Sequence, residues 1–258
     1  MSVIKSLCSA FLMYSRIPVP QVEWKEENRR FALCFFPLIG VVIGCLLMLW
    51  FWLCSVLKTG ELLFSAVAVA VPVLVTGGIH IDGFCDVHDA KASFGNREKM
   101  FEIMSDSHIG AFAAINLAVY FIMQLGLFSQ IKSFDIMMIV SLGFVLSRAW
   151  SGLAAVTFKC AKKNGTLQSF TNPAHRNITL AAEIFYIIIT TVFMVSVNPI
   201  AGSFGAIGSV VSVLYYRNFS YKKFGGITGD LEGYFLQICE INIIGFSAAA
   251  SLISEVIF

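Results

Sequence analysis

The sequence predicts an all-α fold, a polytopic bundle of about seven membrane-spanning helices with its chemistry at one end. Three observations carry that prediction. Of the 258 residues, 57% are hydrophobic and only 13% are charged, with a mean hydropathy of +0.80; soluble domains carry about 25% charged residues. The apolar residues come in runs of roughly 20, the length that carries a helix across about 30 Å of hydrocarbon. The charges, finally, collect in short polar segments that alternate with those runs. No polar segment is long enough for a second, soluble domain, so 1–258 reads as one membrane-embedded unit.

Residues 1–30 open with "MSVIKSLCSAFLMYSRIPVP", a short apolar stretch followed by Arg16 and two prolines. No small-residue cleavage site follows cleanly, which predicts an attached, amphipathic interfacial segment rather than a signal peptide. Spans are expected at 31–57 and 61–80, with a polar, aspartate-rich segment at 81–107. The third and fourth follow at 108–130 and 134–158, then a polar segment at 159–177. The Asn198-Pro199 turn signal divides a fifth span, 178–198, from a sixth, 199–216. A glycine-rich segment, 217–233, leads to the seventh, 234–257.

Alternation places 1–30, 81–107, 159–177 and 217–233 on one side. They hold fifteen of the eighteen lysines and arginines, Lys163 among them. Lys58 and Lys132 fall opposite, and Arg148 lies inside a span. By the positive-inside rule the four polar segments are cytoplasmic and the C-terminus is outside. The net charge of +2 gives no case for nucleic acid. Seven scattered cysteines without a CxxC pair support neither a disulfide framework nor a zinc site.

The chemistry concentrates in "GGIHIDGFCDVHDA", Gly77 to Ala90. At about 100° per residue, a helix here puts Asp86 about 40° from Asp82 and Asp89 about 20° the other way. Three carboxylates on one face repel one another, and a low-dielectric neighbourhood strengthens the repulsion. A bound divalent cation removes the conflict, and oxygen ligands favour magnesium or manganese. His80 and His88 point away from that face, each toward a structural or hydrogen-bonding role or a contact with substrate. Asp106, in "SDSHIGAF", suits an N-cap for the third span and also a metal site at the helix mouth. "FGGITGDLEGYF" brackets Thr228 and Asp230 with glycines before the last span, an arrangement that offers backbone N–H groups to phosphate. Arg148 and Glu240 lie within spans, where ionisable groups pair with each other or face a functional cavity; Arg148 could clamp a phosphate with its planar fork.

With these residues in hand, the chain resembles the adenosylcobinamide-GDP ribazoletransferase (cobalamin synthase) family nearly end to end. The likeness runs through "RIPVP" (Arg16–Pro20), "FFPLIGVVIG" (Phe35–Gly44), "HIDGFCDVHDA" (His80–Ala90), "DSHIGAF" (Asp106–Phe112), "LSR" (Leu146–Arg148) and "GGITGDLEG" (Gly225–Gly233). Many members carry a small residue where His88 stands. The resemblance implies a Mg²⁺-dependent enzyme of the prokaryotic cytoplasmic (inner) membrane. A hydroxyl of α-ribazole, or of its 5′-phosphate, would attack adenosylcobinamide-GDP, giving adenosylcobalamin or its phosphate and releasing GMP. On that basis Asp82, Asp86 and Asp106 would hold magnesium, while Asp89 would share in this or act as the base. His80, Arg148, Thr228, Asp230 and Glu240 would contact substrate or phosphate.

Two other readings remain open at this point. A CDP-alcohol-phosphotransferase-like or prenyltransferase-like enzyme also binds metal-diphosphate through aspartates on membrane helices. The first expects Ala-Arg after its D-G pair, which "DGFCDV" lacks, and the second a further aspartate-rich motif. A cation transporter would tend to place its ion ligands at broken helices near the midplane, whereas these aspartates are expected at the membrane edge. Glycine-rich stretches such as "IAGSFGAIGSVVS" can pack within one protomer or between two, which leaves a homo-oligomer open.

Overall fold

The computed structural model describes residues 2–162 and 165–257, so Lys163 lies outside the described residues. The described residues form helices and no strand. α1 (Ser2–Tyr14) and the single turn α2 (Glu26–Arg29) precede a 3-10 turn, Leu33–Phe35, that leads into α3 (Phe36–Leu57). Next come α4 (Glu61–Thr76), α5 (Ile79–Ala92), α6 (Arg97–Ile103), α7 (Ala111–Ser129), α8 (Phe134–Thr157) and α9 (Thr166–Thr171). α10 (Arg176–Val197), α11 (Pro199–Phe224) and α12 (Gly229–Ile257) end the chain.

Six of these are long and apolar enough to cross a membrane: α3 with its lead-in, α7, α8, α10, α11 and α12. α4 is shorter, its 16 residues covering about 24 Å, and α4 with α5, a pair bent by 96°, gives a seventh if counted as one span. α8 is the axis of the bundle, with 78% of its apolar window buried against 22% for α7 and α10. Those outer helices present Ile115, Ile122, Phe185 and Ile188 outward, an apolar face suited to lipid. Local chemistry fixes the joints. Ser133 caps α8 by accepting from the Ile136 N–H, and Asn198 caps α11 by accepting from Ala201, with Pro199 in the first turn.

The expected second span, 61–80, is corrected by the structure. It stops at Thr76, because Gly77 and Gly78 take left-handed conformations at φ of +67° and +81°, which glycine adopts without the Cβ penalty. Past that break α5 runs at 96° to α4, across the end of the bundle rather than through it. The last polar segment also differs from expectation. α11 continues past 216 to Phe224, and α12 begins at Gly229 rather than 234, so only Gly225–Thr228 stay outside helices. Gly225, left-handed at φ +78°, closes α11.

Hydrogen bonds show that the four polar segments share one end of the molecule. Arg29 Nη1 donates to the Ser169 carbonyl at 2.6 Å, and the His175 N–H to Arg30 at 3.0 Å. The Ile227 N–H donates to Lys159 and the Ala161 N–H to Ile227, a two-bond bridge between the 159–177 and 217–233 segments. Arg97 reaches the Lys223 and Lys222 carbonyls at the end of α11. Lys132 pairs with Glu61 at the opposite end.

Candidate active site

The Gly77-Gly78 break lets α5 lie against the start of α12, and the two backbones touch. A methyl group on Gly83 would come 2.6 Å from the Asp230 carbonyl oxygen and 2.8 Å from its Cα; one on Gly233 would come 3.0 Å from the His80 carbonyl. These contacts bring Asp82 beside Asp230. The helix expected over residues 82–89 forms, and its three aspartates face a cleft of about 590 Å³ together with Asp106 and Asp230. Among the described residues, no lysine or arginine lines that cleft.

The carboxylates are not equivalent. Burial, then the charges of Asp82, Asp230 and Asp89, push the Asp86 carboxyl up to about 7. Asp89 is engaged: Oδ2 accepts from the Gly110 N–H at 2.6 Å and Oδ1 from the Ala113 N–H at 2.8 Å. It thus serves the N-terminus of α7, the role expected of Asp106. Asp106 lies four residues before the Gly110 N-cap and instead accepts from the His108 N–H at 3.0 Å and meets His108 Nδ1 at 2.7 Å. That contact holds the Asp106 carboxyl below its usual range, and the residue is exposed on the rim.

The remaining expected residues divide in two. Thr228 is buried and its hydroxyl accepts from the Leu231 N–H at 3.2 Å, capping α12, while Asp230 enters the cleft. Arg148 and Glu240 do not enter it. Arg148 Nη1 lies 2.7 Å from Glu240 Oε1 and donates to the Phe144 carbonyl at 2.9 Å, with both side chains almost wholly buried. The expected phosphate clamp is therefore committed to an ion pair inside the bundle. His80 is buried among Tyr14 and Phe36, and His88 lies on Phe84 and Tyr234.

Sequence reasoning gave no role to several residues that the structure brings to this end. Arg16 shares a recess of about 470 Å³ with Gly77, Gly78 and Asp82, and no ion pair among the described residues involves it. Its signal was the "RIPVP" stretch. Lys162 shares another recess with Thr228 and Asp230. Tyr14, Ser151 and Glu232 line a third that also reaches Asp82 and Asp230.

The donor set suits a hard cation. Every carboxylate of the cleft supplies oxygen, and the Asp86 carboxyl is raised first by burial and then by the charge of Asp82, Asp230 and Asp89. Among the described residues no three His, Cys, Asp or Glu side chains already stand together as a metal centre. Magnesium is commonly held by one or two carboxylates, with water and substrate phosphate oxygens completing the shell.

A family profile described as cobalamin-5-phosphate synthase matches residues 6–248. A relative named adenosylcobinamide-GDP ribazoletransferase, from Lachnoclostridium phytofermentans, is 43% identical over 241 residues, covering 93% of this chain and 92% of its own. Proteins of the same name from Clostridium botulinum and Listeria monocytogenes are each 29% identical over 247 residues. The first covers 93% of this chain and 95% of its own, the second 89% and 92%. No solved structure matches the chain.

Proposed function

Because this chain belongs to the cobalamin-5-phosphate synthase family, we propose that it joins adenosylcobinamide-GDP to α-ribazole or its 5′-phosphate at the cytoplasmic face of a prokaryotic membrane, with Mg²⁺ as cofactor. The carrying observation is the cleft in which five aspartates gather, with no lysine or arginine among the described residues that line it. A pyrophosphate donor needs its non-bridging oxygens neutralised and its attacking hydroxyl oriented. Mg²⁺ held by Asp82, Asp86 and Asp106 supplies that neutralisation when bound.

The chain's own groups do the rest. Arg16, beside Asp82 and free of ion pairs, takes the phosphate contact that Arg148 is not placed to make. Asp89 is held by two backbone N–H groups, so the base role passes to Asp230, across the cleft from α5. The acceptor hydroxyl oxygen bonds to the corrinoid-linked phosphorus, and its proton goes to the Asp230 carboxylate. The bond from that phosphorus to the bridging oxygen breaks, and GMP leaves.

The test is GMP release from the GDP-activated corrinoid by membranes carrying the full chain, with α-ribazole or its 5′-phosphate as acceptor. Magnesium-dependent release that Asp82→Asn abolishes supports the proposal. Release at an undiminished rate from Asp82→Asn, or with chelator present, overturns the metal assignment.

A further inference from the structure

Beside the aspartate cleft lies a cavity of about 230 Å³ with largely apolar, aromatic walls, including Tyr14, Phe36, Phe170 and Leu236. Asp82 and Asp230 line both spaces, so the cavity opens beside the carboxylates. A third acid, Glu232, lies in the wall. Glu232 is only 6% exposed; its Oε2 accepts from the Ser151 hydroxyl at 2.5 Å, and the Tyr216 hydroxyl lies beside the same carboxyl. A carboxylate accepts more than two hydrogen bonds, so a ligand N–H can add to these. The space exceeds a water's share of about 30 Å³ severalfold. It suits a flat bicyclic ring and is far too small for a corrin macrocycle. Apolar walls with one or two fixed polar groups are the usual lining of a small-molecule site, and aromatic walls favour stacking.

We propose that this cavity is a base-binding subsite. It takes a planar, bicyclic heteroaromatic ring that presents an N–H or amino group to the Glu232 carboxyl, and the attached sugar emerges between Asp82 and Asp230. The inference rests on the transferase reading, which brings two base-bearing substrates to these carboxylates. Guanine, the base of the activated donor, carries an N–H and an amino group on one edge; a benzimidazole riboside carries neither, its ring nitrogens holding the sugar and a lone pair.

Saturation-transfer NMR on the detergent-solubilised full chain separates them, because it reads binding without turnover. The probes are guanosine, a benzimidazole riboside and an amino-bearing purine riboside. Glu232→Leu removes the acceptor, Glu232→Gln keeps its shape and one oxygen, and Ala155→Leu fills the cavity without touching the acid. Loss of about tenfold in binding of one probe is expected in Glu232→Leu and Ala155→Leu, with a smaller loss in Glu232→Gln. Loss of guanosine, with a raised KM for the corrinoid donor alone, places the donor's base in the cavity. Loss of the benzimidazole riboside instead, with a raised acceptor KM alone, overturns the N–H contact to Glu232. Equal binding to wild type and to folded variants, or no binding to wild type, overturns the subsite even where wild type releases GMP. Failure of wild type to release GMP would instead strike at the transferase reading and leave the binding comparison legible.

Discussion

At the carboxylate end, Asp82, Asp86 and Asp230 face a cleft lined by no lysine or arginine among the described residues. Deeper in the bundle, Arg148 and Glu240 close on each other at 2.7 Å, with Ser147 and the Phe144 carbonyl sharing the load. Both regions place charge inside a greasy chain, and both looked functional in the sequence. The difference is compensation. A buried pair whose opposite charges face each other joins helices α8 and α12, whereas carboxylates gathered at an open cleft await something from outside. An intramembrane charge is a functional hypothesis by default; whether its partner lies within the chain decides which kind of function.

The sharpest way to break this contrast is to neutralise one charge on each side. Asp82→Asn or Asp86→Asn should cut GMP release by roughly 10³-fold while the protein still folds, since metal and phosphate positioning are lost together. Equal rates in membranes from variant and wild type would falsify the uncompensated-site reading. Arg148→Met should instead destabilise by about 3 kcal/mol or more, because it strands Glu240. The double variant Arg148→Met/Glu240→Leu should recover most of that in a thermal melt. A single variant that melts like wild type would mean the pair is not structural.

Gly83→Ala sharpens the comparison from the packing side. Its Cβ would meet the Asp230 backbone at 2.6 Å, so α5 and α12 must part, at a cost of about 1–3 kcal/mol. GMP release should fall further than the melting temperature suggests, and an unaffected rate would show that Asp82 and Asp230 need not be adjacent.

The smallest effect concerns protons. Asp86 is raised to about 7 from 3.8, so between those values the folded chain binds the proton more tightly than the unfolded one. Without a divalent cation, melting temperature should therefore fall by a few degrees as pH rises from about 5 to about 8. Magnesium should restore it at the higher pH. A profile that rises across that window would contradict the clustered-carboxylate account.

Much of this was legible in the sequence. Hydropathy gave the spans because apolar runs must match the bilayer, and helical periodicity put Asp82, Asp86 and Asp89 on one face. The 96° turn was not legible from hydropathy, since "TGGIHI" continues the apolar run and only the paired glycines hint at a break. The partner of Asp89 could not be read, because its N–H donors lie in another helix. Arg16 was hidden by the opposite problem: its motif was visible, while its approach to Asp82 depends on a fold made far along the chain.

That last point bears on how the protein is made. α5 is synthesised early and α12 last, yet Gly83 and Gly233 lock them together at the cleft. During insertion the aspartate helix gains α7, and with it the partners of Asp89, well before α12 is threaded. The cleft is complete only when the final helix brings Asp230, so a chain cut short before Gly229 should release no GMP.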